Sequence, residues 1–591
     1  MNISMIDWGI IIAFFVISML IGLYASRTAG KSSKEFFLSG RNMPWWLLGV
    51  SMVATTFSAD TPNLVTDIVR KDGVSGNWVW WAFLLTGMLT VFVYAKLWRR
   101  SEVTTDLEFY EIRYGGKPAA FLRAFRALYL GVFFNVVIMA TVSLAAIKIG
   151  GVMLGLKPYE TLLLASIVTV IYSSLGGLKG VLLTDFFQFF IAMIGAFGAA
   201  YYILDLPEIG SLSNLLTHPE VSTKLSFLPD FDDWNTVVPL LIMPLAIQWW
   251  ATWYPGAEPG GGGYIAQRML SAKDEKNAIG ATLFFNIAHY ALRPWPWIII
   301  ALASIIVFPQ ISDLQEAFPH MPADKLGDDL AYSAMLTFLP TGLIGIVLAS
   351  LIAAVMSTLS THLNWGSSYV VNDFYLRFLK PEASEKELVA VGRISTVTLM
   401  VLAAFLALAL SNALEAFNIL LQIGAGTGLI FILRWFWWRI NAYTEISAMI
   451  VSFIIAIFFE TINPKINLID IPVGQEYLKL LYGVGLTTAT WLLVTFLTAP
   501  EKDAVLLSFY RKVRPAAFGW NKVLVRYPEE KVEQGSLPLE IGLMLVASIM
   551  VYAALFATGF WLYGKVEMAI VSTLVALTGG FIVLKSWKKL R

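Results

Sequence analysis

Apolar residues recur along the whole chain in runs of about 20 positions, and short polar segments separate the runs. A helix needs about 20 mostly apolar residues to cross a bilayer, whereas membrane β-strands are about half as long and alternate in polarity. Fifteen runs qualify, with approximate centres at 7–26, 44–68, 78–98, 123–147, 160–178, 181–203, 236–257, 278–308, 341–370, 389–410, 413–433, 446–462, 476–498, 538–562 and 566–585. The pattern predicts an all-α polytopic membrane protein with about 15 transmembrane helices, the first of them retained.

Composition supports the same class of protein. Hydrophobic residues make up 57% of the 591 positions and charged residues 14%, against roughly 25% charged residues in soluble proteins. The net charge of +1 gives no reason to expect a nucleic-acid partner, and the lack of cysteine excludes disulfides and thiolate metal sites. The 4 histidines lack a metal-like spacing, so we expect no enzymatic cofactor and no enzymatic activity.

Lysine and arginine concentrate in alternate loops. The basic segments include Arg268 and the loop 499–535, and the loops between them gather acids, as at 230–233 and 324–329. Cytoplasmic loops of membrane proteins are the ones enriched in lysine and arginine. We therefore expect a plasma (inner) membrane protein with its N-terminus outside and its C-terminus in the cytoplasm.

Two of the predicted spans are interrupted. The second carries hydroxyl residues, an aspartate and a proline at 54–62, and the seventh carries two prolines and four consecutive glycines at 254–263. The four glycines and two prolines of the seventh span cannot continue a regular helix. Interruptions five spans apart are the sequence sign of inverted-repeat transporters, in which unwound backbone binds ions and substrate. Simple proline kinks, repaired by neighbouring helices, are the alternative.

Ionisable groups at membrane depth are costly and usually functional. Five qualify: Asp60, Asp185, Glu258, His289 and Arg293. A cluster of serine and threonine at 357–361 in the ninth span adds hydroxyl oxygens, the ligand type that hard cations prefer. Hydroxyl residues are also common at contacts between membrane helices, which is the alternative explanation for the cluster.

Four motifs together resemble the sodium/solute symporter family, which includes sodium/sugar and sodium/proline symporters. They are Phe36-Phe37-Leu38-Ser39-Gly40-Arg41 with Trp45-Trp46, Gly176-Gly177-Leu178-Lys179 with Thr184-Asp185-Phe186-Phe187-Gln188, Gln267-Arg268-Met269-Leu270-Ser271-Ala272-Lys273, and the hydroxyl cluster at 357–361. Each motif is weak alone, but their order and spacing match the family over roughly residues 7–460. The resemblance implies a LeuT-type 5+5 inverted repeat with one extra N-terminal helix and several C-terminal helices.

The resemblance also implies where sodium binds. The first site is expected between the first and eighth repeat helices, at Ala54, Phe57, Ala354, Ser357 and Thr358. A second site is expected at Asp185, Ser357, Ser360 and Thr361. The alternative role for Asp185 is to guide the ion toward the cytoplasm. One or two Na⁺ are therefore expected as coupling ions.

The expected solute site departs from that of the family's sugar carriers. Trp80 stands where those proteins have a glutamate and His289 where they have a lysine, and a Pro/Gly/Glu run replaces their Asn/Tyr stretch. The candidate solute residues are Asp60, Thr61, Trp80, Trp253, Glu258, His289 and Gln422. Aromatic rings with a few acids suit an organic cation or zwitterion, although sugars, amino acids, organic acids and nucleosides stay open. Trp78 and Trp81 are expected to contact lipid or to form an interface belt.

The resemblance divides the chain into four parts: an extra helix and loop at 1–43, a first repeat at 44–205, a second repeat at 206–440, and peripheral helices at 441–591. It implies a sodium-coupled secondary active symporter that imports a small organic solute by alternating access, as a monomer or loose homo-oligomer. A membrane sensor that binds solute without moving it is the alternative. Accumulation of solute against its gradient separates the two.

Overall fold

The computed structural model describes residues 3–29, 31–56, 58–254, 256–472, 474–530 and 536–589. Within these ranges the chain is helical and has no β-strand, and an isolated parallel bridge joins Met43 to Ala272. Several helices contain π-helical turns, for example at Val238–Ile242 and Pro244–Gln248. These turns rotate the side chains that follow them relative to a regular α-helix.

Among the described residues, and apart from a 3₁₀ turn at Ser39–Arg41, the first half of the chain forms twelve helices. They are α1 Met5–Ala29, α2 Ser33–Leu38, α3 Trp45–Thr56, α4 Asp60–Asp72, α5 Val74–Ser101, α6 Phe109–Arg113, α7 Gly116–Leu154, α8 Pro158–Leu204, α9 Leu212–Thr217, α10 Pro219–Ser222, α11 234–251 and α12 Gly263–Ser271.

The second half forms thirteen more within the described residues. They are α13 Glu275–Val307, α14 Ile311–Ala317, α15 Leu330–Met335, α16 Leu343–Leu379, α17 Glu385–Ala409, α18 Ala413–Gly424, α19 Gly428–Leu433, α20 Ala442–Ile466, α21 Tyr477–Leu497, α22 Asp503–Val513, α23 Asn521–Leu524, α24 Leu537–Leu562 and α25 Val566–Ser586.

In the described part of the chain, 11 helices are long and apolar enough to cross a membrane. The count of fifteen spans is therefore not confirmed, and the four remaining runs have a different form. The runs at 44–68 and 413–433 are each split into two shorter helices, and the run at 236–257 ends in irregular backbone. The run at 160–178 is the first part of α8, a 47-residue helix divided by the non-helical residue Gly177. Three of these four runs are thus interrupted spans.

Helix α8 organises the centre of the bundle. It packs along α16 and also contacts α1 and α3, while α3 packs on α13. The C-terminal pair α24 and α25 pack mainly on each other, and α24 also reaches α5. One large apolar core unites these elements. The contact of α3, α8 and α16 is where the polar groups predicted from sequence meet.

Candidate functional site

The first break in the chain separates α3 from α4. Helix α3 ends at Thr56 and α4 begins at Asp60, as the interrupted second span predicts. Phe57 lies in this break and outside the described residues. The buried guanidinium of Arg293 donates hydrogen bonds to the carbonyl oxygens of Val53 (3.0 Å) and Thr56 (3.1 Å). A cation thus satisfies the carbonyl end of α3, where the helix dipole is negative.

The second break separates α11 from α12. Gly256, Gly260, Gly261 and Gly263 all have positive φ between +54° and +82°, a region that favours glycine. The amide of Gly263, the first residue of α12, donates a 2.8 Å hydrogen bond to Asp106 Oδ2. A carboxylate thus meets the amide end of α12, where the helix dipole is positive.

Helix α16 joins α3 through hydroxyl groups one turn apart. Thr358 Oγ1 donates a 2.8 Å hydrogen bond to the carbonyl oxygen of Thr55, and Thr361 Oγ1 lies 3.1 Å from Thr55 Oγ1. Ala354 precedes Thr358 by one helical turn and is buried, as is Ala54 on the facing helix. Of the first predicted sodium site, Thr358 therefore contacts α3 directly, and Ala54 and Ala354 are buried on the two helices.

Asp185 of α8 is fully buried and accepts two short hydrogen bonds. Ser51 Oγ donates to its Oδ2 at 2.5 Å, and Ser357 Oγ donates to its Oδ1 at 2.6 Å. Ser360 instead donates back to the carbonyl of Ser357 at 3.0 Å, so its hydroxyl serves its own helix in this structure. Of the second predicted site, Asp185, Ser357 and Thr361 belong to one polar network.

Arg268 of α12 is part of this network. Its Nη2 donates to Thr361 Oγ1 (2.8 Å) and Ser51 Oγ (3.2 Å) and lies 3.8 Å from Asp185 Oδ2. The sequence interpretation that counted Arg268 among the cytoplasmic loop cations is wrong, because its side chain is fully buried. It follows a glycine run and precedes polar residues, so hydropathy alone places it in a loop.

A cavity of about 100 Å³ lies beside the first break. Thr55 and Thr358 form part of its wall, so it adjoins the α3–α16 contact. Four of the seven candidate solute residues line it: Asp60, Thr61, Trp80 and His289. The wall also includes the aromatic side chains of Phe83, Tyr254, Tyr264, Phe285, Tyr290 and Phe417. Both polar oxygens and ring faces are therefore available to a bound solute.

Trp80 is fixed within the cavity wall. Its ring stacks on Tyr290 (centroids 5.8 Å apart) and meets His289 edge-on (5.7 Å). Its indole N–H donates to Asn77 Oδ1 at 2.8 Å. Trp78 and Trp81 point elsewhere and pack against Phe556 of α24. The expectation that these two tryptophans contact lipid or form an interface belt is wrong, because both are buried within the protein.

The other three candidate solute residues lie outside this wall. Trp253 packs edge-on against Phe134, with centroids 4.8 Å apart. Gln422 donates a 3.2 Å hydrogen bond to the carbonyl of Lys479 and lines a different cavity. The Glu258 carboxylate lies against Gly262 and Gly263, where an added Cβ would come within 2.6 Å of it. Glu258 thus belongs to the second break.

Asp60 is the acidic residue of the cavity wall. Its Oδ1 is buried and has no hydrogen-bond partner within the described part of the chain. Arg293 is close enough to act on it electrostatically. The side chain of Arg293 also reaches His289, which lies one helical turn before it. Asp60 can therefore accept a hydrogen bond from a solute while Arg293 partly offsets its negative charge.

Hydropathy and motif spacing missed several residues of the site. Ser51 and Tyr290 lie in predominantly apolar stretches, and Tyr254 and Tyr264 stand at the two ends of the Pro/Gly interruption, so no motif in one sequence marks these four side chains as lining the site. Among the described residues, no group of three or more His, Cys, Asp or Glu side chains could hold a metal ion. The oxygen set of hydroxyls, one carboxylate and helix-end carbonyls fits a singly charged hard cation better.

A family model for sodium:solute symporters matches residues 36–452, more than half of the chain. The chain belongs to the sodium:solute symporter family. This symporter is 25% identical over 480 residues to the sodium/glucose cotransporter of Vibrio parahaemolyticus, covering 78% of this chain and 86% of that protein. It is 26% identical over 545 residues to human sodium/myo-inositol cotransporter 2, covering 84% of this chain and 78% of that protein.

The fold of the symporter matches a solved structure as well. A Na⁺-coupled sialic acid symporter, solved substrate-bound and outward-open, superimposes with a TM-score of 0.68 over 85% of this chain and 99% of that one, at 21% identity. The LeuT-type fold is thus confirmed, and the family and its relatives are transporters. The protein is a sodium-coupled symporter of a small solute.

Proposed function

We propose that Na⁺ held between α3 and α16 drives import of a small, uncharged, polyhydroxylated solute that binds in the cavity beside the first break. One observation carries the proposal. Thr55 and Thr358 line the cavity and are also the residues whose 2.8 Å hydrogen bond joins α3 to α16. Any ion that rearranges this contact must also change the shape of the solute cavity.

The proposed first ion is coordinated by the backbone of Ala54, Phe57 and Ala354 and by the hydroxyls of Ser357 and Thr358. Hydroxyl and carbonyl oxygens hold Na⁺ without adding charge, so the ion leaves again when the helices separate. The dipole at the carbonyl end of α3 favours a cation there. Ion and solute each bind more tightly when the other is present, because such coupling is reciprocal.

A second proposed ion uses Asp185, Ser357, Ser360 and Thr361. The Ser357 hydroxyl already contacts the Asp185 carboxylate (2.6 Å), and Arg268 Nη2 links that carboxylate (3.8 Å) to Thr361 Oγ1 (2.8 Å). The membrane potential contributes about 2.3 kcal/mol per charge per 100 mV, so a second ion steepens solute accumulation. We propose two Na⁺ per cycle.

The cavity supports an uncharged solute. Asp60 supplies one free acceptor oxygen, Arg293 offsets its charge, and hydroxyls of Thr61 and Thr141 stand in the same wall. The tryptophan and tyrosine faces suit the C–H faces of a sugar or cyclic polyol. The named relatives are cotransporters of glucose and myo-inositol. An organic cation or zwitterion, which the aromatic rings also suit, is the competing outcome of the test.

The remaining assignments are proposals of the same kind. The basic loops face the cytoplasm of the plasma membrane, the N-terminus lies outside, and the repeats occupy 44–205 and 206–440. The protein acts as a transporter without enzymatic activity, as a monomer or loose homo-oligomer. Residues 1–43 and 441–591 then lie outside the repeats.

Uptake into proteoliposomes tests the proposal. Radiolabelled glucose and myo-inositol are compared with choline, glycine betaine and succinate, under an inward Na⁺ gradient, an inward K⁺ gradient and equal Na⁺ on both sides. We expect accumulation of a sugar or polyol with the Na⁺ gradient only. Accumulation of choline or betaine instead overturns the solute class. Equal uptake with and without the Na⁺ gradient overturns coupling. Saturable binding without uptake supports the sensor alternative.

Asp60→Asn sharpens the solute assignment. It should raise the half-saturating solute concentration about tenfold, the effect of one hydrogen bond to a charged group, and leave the Na⁺ requirement unchanged. Asp72→Asn, at the far end of the same helix, is the matched control and should change neither value. An equal effect of both variants contradicts a solute role for Asp60.

A further inference from the structure

The guanidinium of Arg268 is a positive charge that lies inside the second proposed sodium site. Asp185 is the acidic member of that site, and Arg268 Nη2 is 3.8 Å from its Oδ2. The same nitrogen donates to Thr361 Oγ1 at 2.8 Å, another proposed sodium ligand. A side-chain cation thus contacts two of the residues that a second Na⁺ would need.

The guanidinium is held from several directions. Its Nη2 and Nε also reach Ser51 Oγ (3.2 and 3.3 Å), and its Nη1 donates to Gln267 Oε1 at 3.1 Å. Ser51 in turn donates to Asp185 Oδ2 at 2.5 Å. Arg268, Asp185, Ser51 and Thr361 are all fully buried. The charge of the carboxylate is therefore balanced within the protein before any ion arrives.

A second Na⁺ cannot simply be added to this arrangement. With Asp185 and Arg268 both charged, the group is neutral, and one more cation leaves a net positive charge out of contact with water. Uncompensated buried charge carries a large free-energy cost, and like charges at a few ångströms repel strongly in a medium of low dielectric constant. Na⁺ and the guanidinium therefore compete for the same carboxylate and the same threonine hydroxyl.

The position of Arg268 in the chain allows it to move. It lies on the nine-residue helix α12, which follows the glycine-rich second break and is tied at its far end by the bridge between Ala272 and Met43. The break is a tight turn in which the Gly261 amide donates to the Glu258 carbonyl (2.8 Å), and its glycines with positive φ can change conformation at little steric cost when α12 shifts. Asp185 and Thr361, by contrast, belong to the long helices α8 and α16.

We infer that Arg268 is a tethered competitor of the second sodium ion. When α12 approaches α8 and α16, as in this structure, the guanidinium binds Asp185 and Thr361 and displaces Na⁺. When α12 withdraws, the site opens to the ion. Arg268 thus sets the affinity of the second site and completes ion release in each cycle. The inference rests on the proposed second sodium site and assigns a regulator to it.

Equilibrium binding of ²²Na⁺ to the purified full-length protein tests the inference without requiring transport. Arg268→Gln keeps a hydrogen-bond donor but removes the charge. It should lower the half-saturating Na⁺ concentration about tenfold, within the usual range of coupling between sites, and raise the Hill slope from about one toward two. Sodium-driven uptake should slow in the same variant, because the ion is no longer displaced.

Two further variants keep the result interpretable. Arg268→Lys retains the charge but not the planar fork, so it should bind Na⁺ with an affinity between those of the wild type and Arg268→Gln. Arg434→Gln removes another buried guanidinium, one paired with Glu445 at 3.6 Å and away from Asp185. It should lower thermal stability without changing Na⁺ binding. Equal Na⁺ affinity in Arg268→Gln and the wild type overturns the competition.

Asp185→Asn distinguishes failure of the proposed competition from failure of the second sodium site on which the competition rests. If this change weakens Na⁺ binding while Arg268→Gln does not strengthen it, the second sodium site stands and the competition is overturned. If Asp185→Asn alters Na⁺ binding in neither the wild type nor the Arg268→Gln background, the second site itself is overturned. The double variant should return the Hill slope to about one.

Discussion

The two breaks in this symporter each interrupt a predicted span, but they accommodate opposite charges. At the first, α3 ends in carbonyl oxygens, and the cation of Arg293 caps Val53 and Thr56. At the second, α12 begins with amide groups, and the Asp106 carboxylate caps Gly263. Each helix end is met by the charge that its dipole favours.

The difference assigns different work to the two breaks. Both breaks adjoin the solute cavity, since Gly256 and Ala257 of the second break line its wall, and the first also adjoins the α3–α16 contact, so ion and solute are proposed to meet there. The second supplies a glycine-rich connection in front of α12, where Asp106 accepts from the Gly263 amide and the Glu258 carboxylate lies against Gly262 and Gly263. Paired interruptions in an inverted repeat therefore need not carry equivalent ligands.

The largest expected effect comes from the glycines of the second break. Gly260→Ala forces an alanine to φ +76° and places its Cβ 2.9 Å from the backbone oxygen of Phe431. We expect little or no monodisperse protein by size-exclusion chromatography. Gly485→Ala, in α21, is the control, because a Cβ there meets no described atom within 4 Å and alanine favours helix. Normal yield of the Gly260 variant would contradict the need for glycine where the break packs against Phe431.

At the first break, Arg293→Gln should be the next most damaging change. It removes two charge-assisted hydrogen bonds from buried carbonyls, which we expect to cost about 2–4 kcal/mol and to abolish most uptake. Thermal unfolding and proteoliposome uptake measure the two effects. Arg511→Gln, which changes an exposed side chain of α22, should match the wild type in both. If Arg293→Gln unfolds at the same temperature as the wild type, Arg293 does not stabilise the end of α3.

Ser357→Ala sharpens the ion side of the comparison. It deletes a proposed sodium ligand and the 2.6 Å hydrogen bond to Asp185, so the Na⁺ requirement for uptake should rise about tenfold. Ser350→Ala is the control on the same helix, since that hydroxyl bonds only the Val347 carbonyl among the described residues. The same Na⁺ dependence in both variants would argue against a ligand role for Ser357.

The smallest effect is expected from Glu258→Gln at the second break. Glu258 lies outside the cavity wall, so the half-saturating concentrations of Na⁺ and solute should both stay at wild-type values. Stability should change by about 1 kcal/mol, as the neutral amide interacts less well with the start of α12. Loss of solute affinity in a folded variant would show that Glu258 contributes to the solute site.

Much of the ion region could be predicted from sequence. Asp185, Ser357 and Thr361 stand out because polar side chains in an apolar run are rare, and three of the four second-site residues do meet in one network. The solute region was harder. The sequence predicts Trp253 and Gln422 in the same pocket as Trp80, but Trp253 packs against Phe134 and Gln422 lines a different cavity.

Composition, hydropathy and motif order alone predict the membrane class, the family, both breaks and the hydroxyl cluster. Each of these depends on properties that a segment of the chain carries locally. Only the tertiary structure shows that Arg268 is buried beside Asp185 and that Trp80, but not Trp78 or Trp81, faces the cavity. Such facts depend on how helices rotate and approach one another, and a side chain's sequence neighbours do not determine which distant helix it will meet.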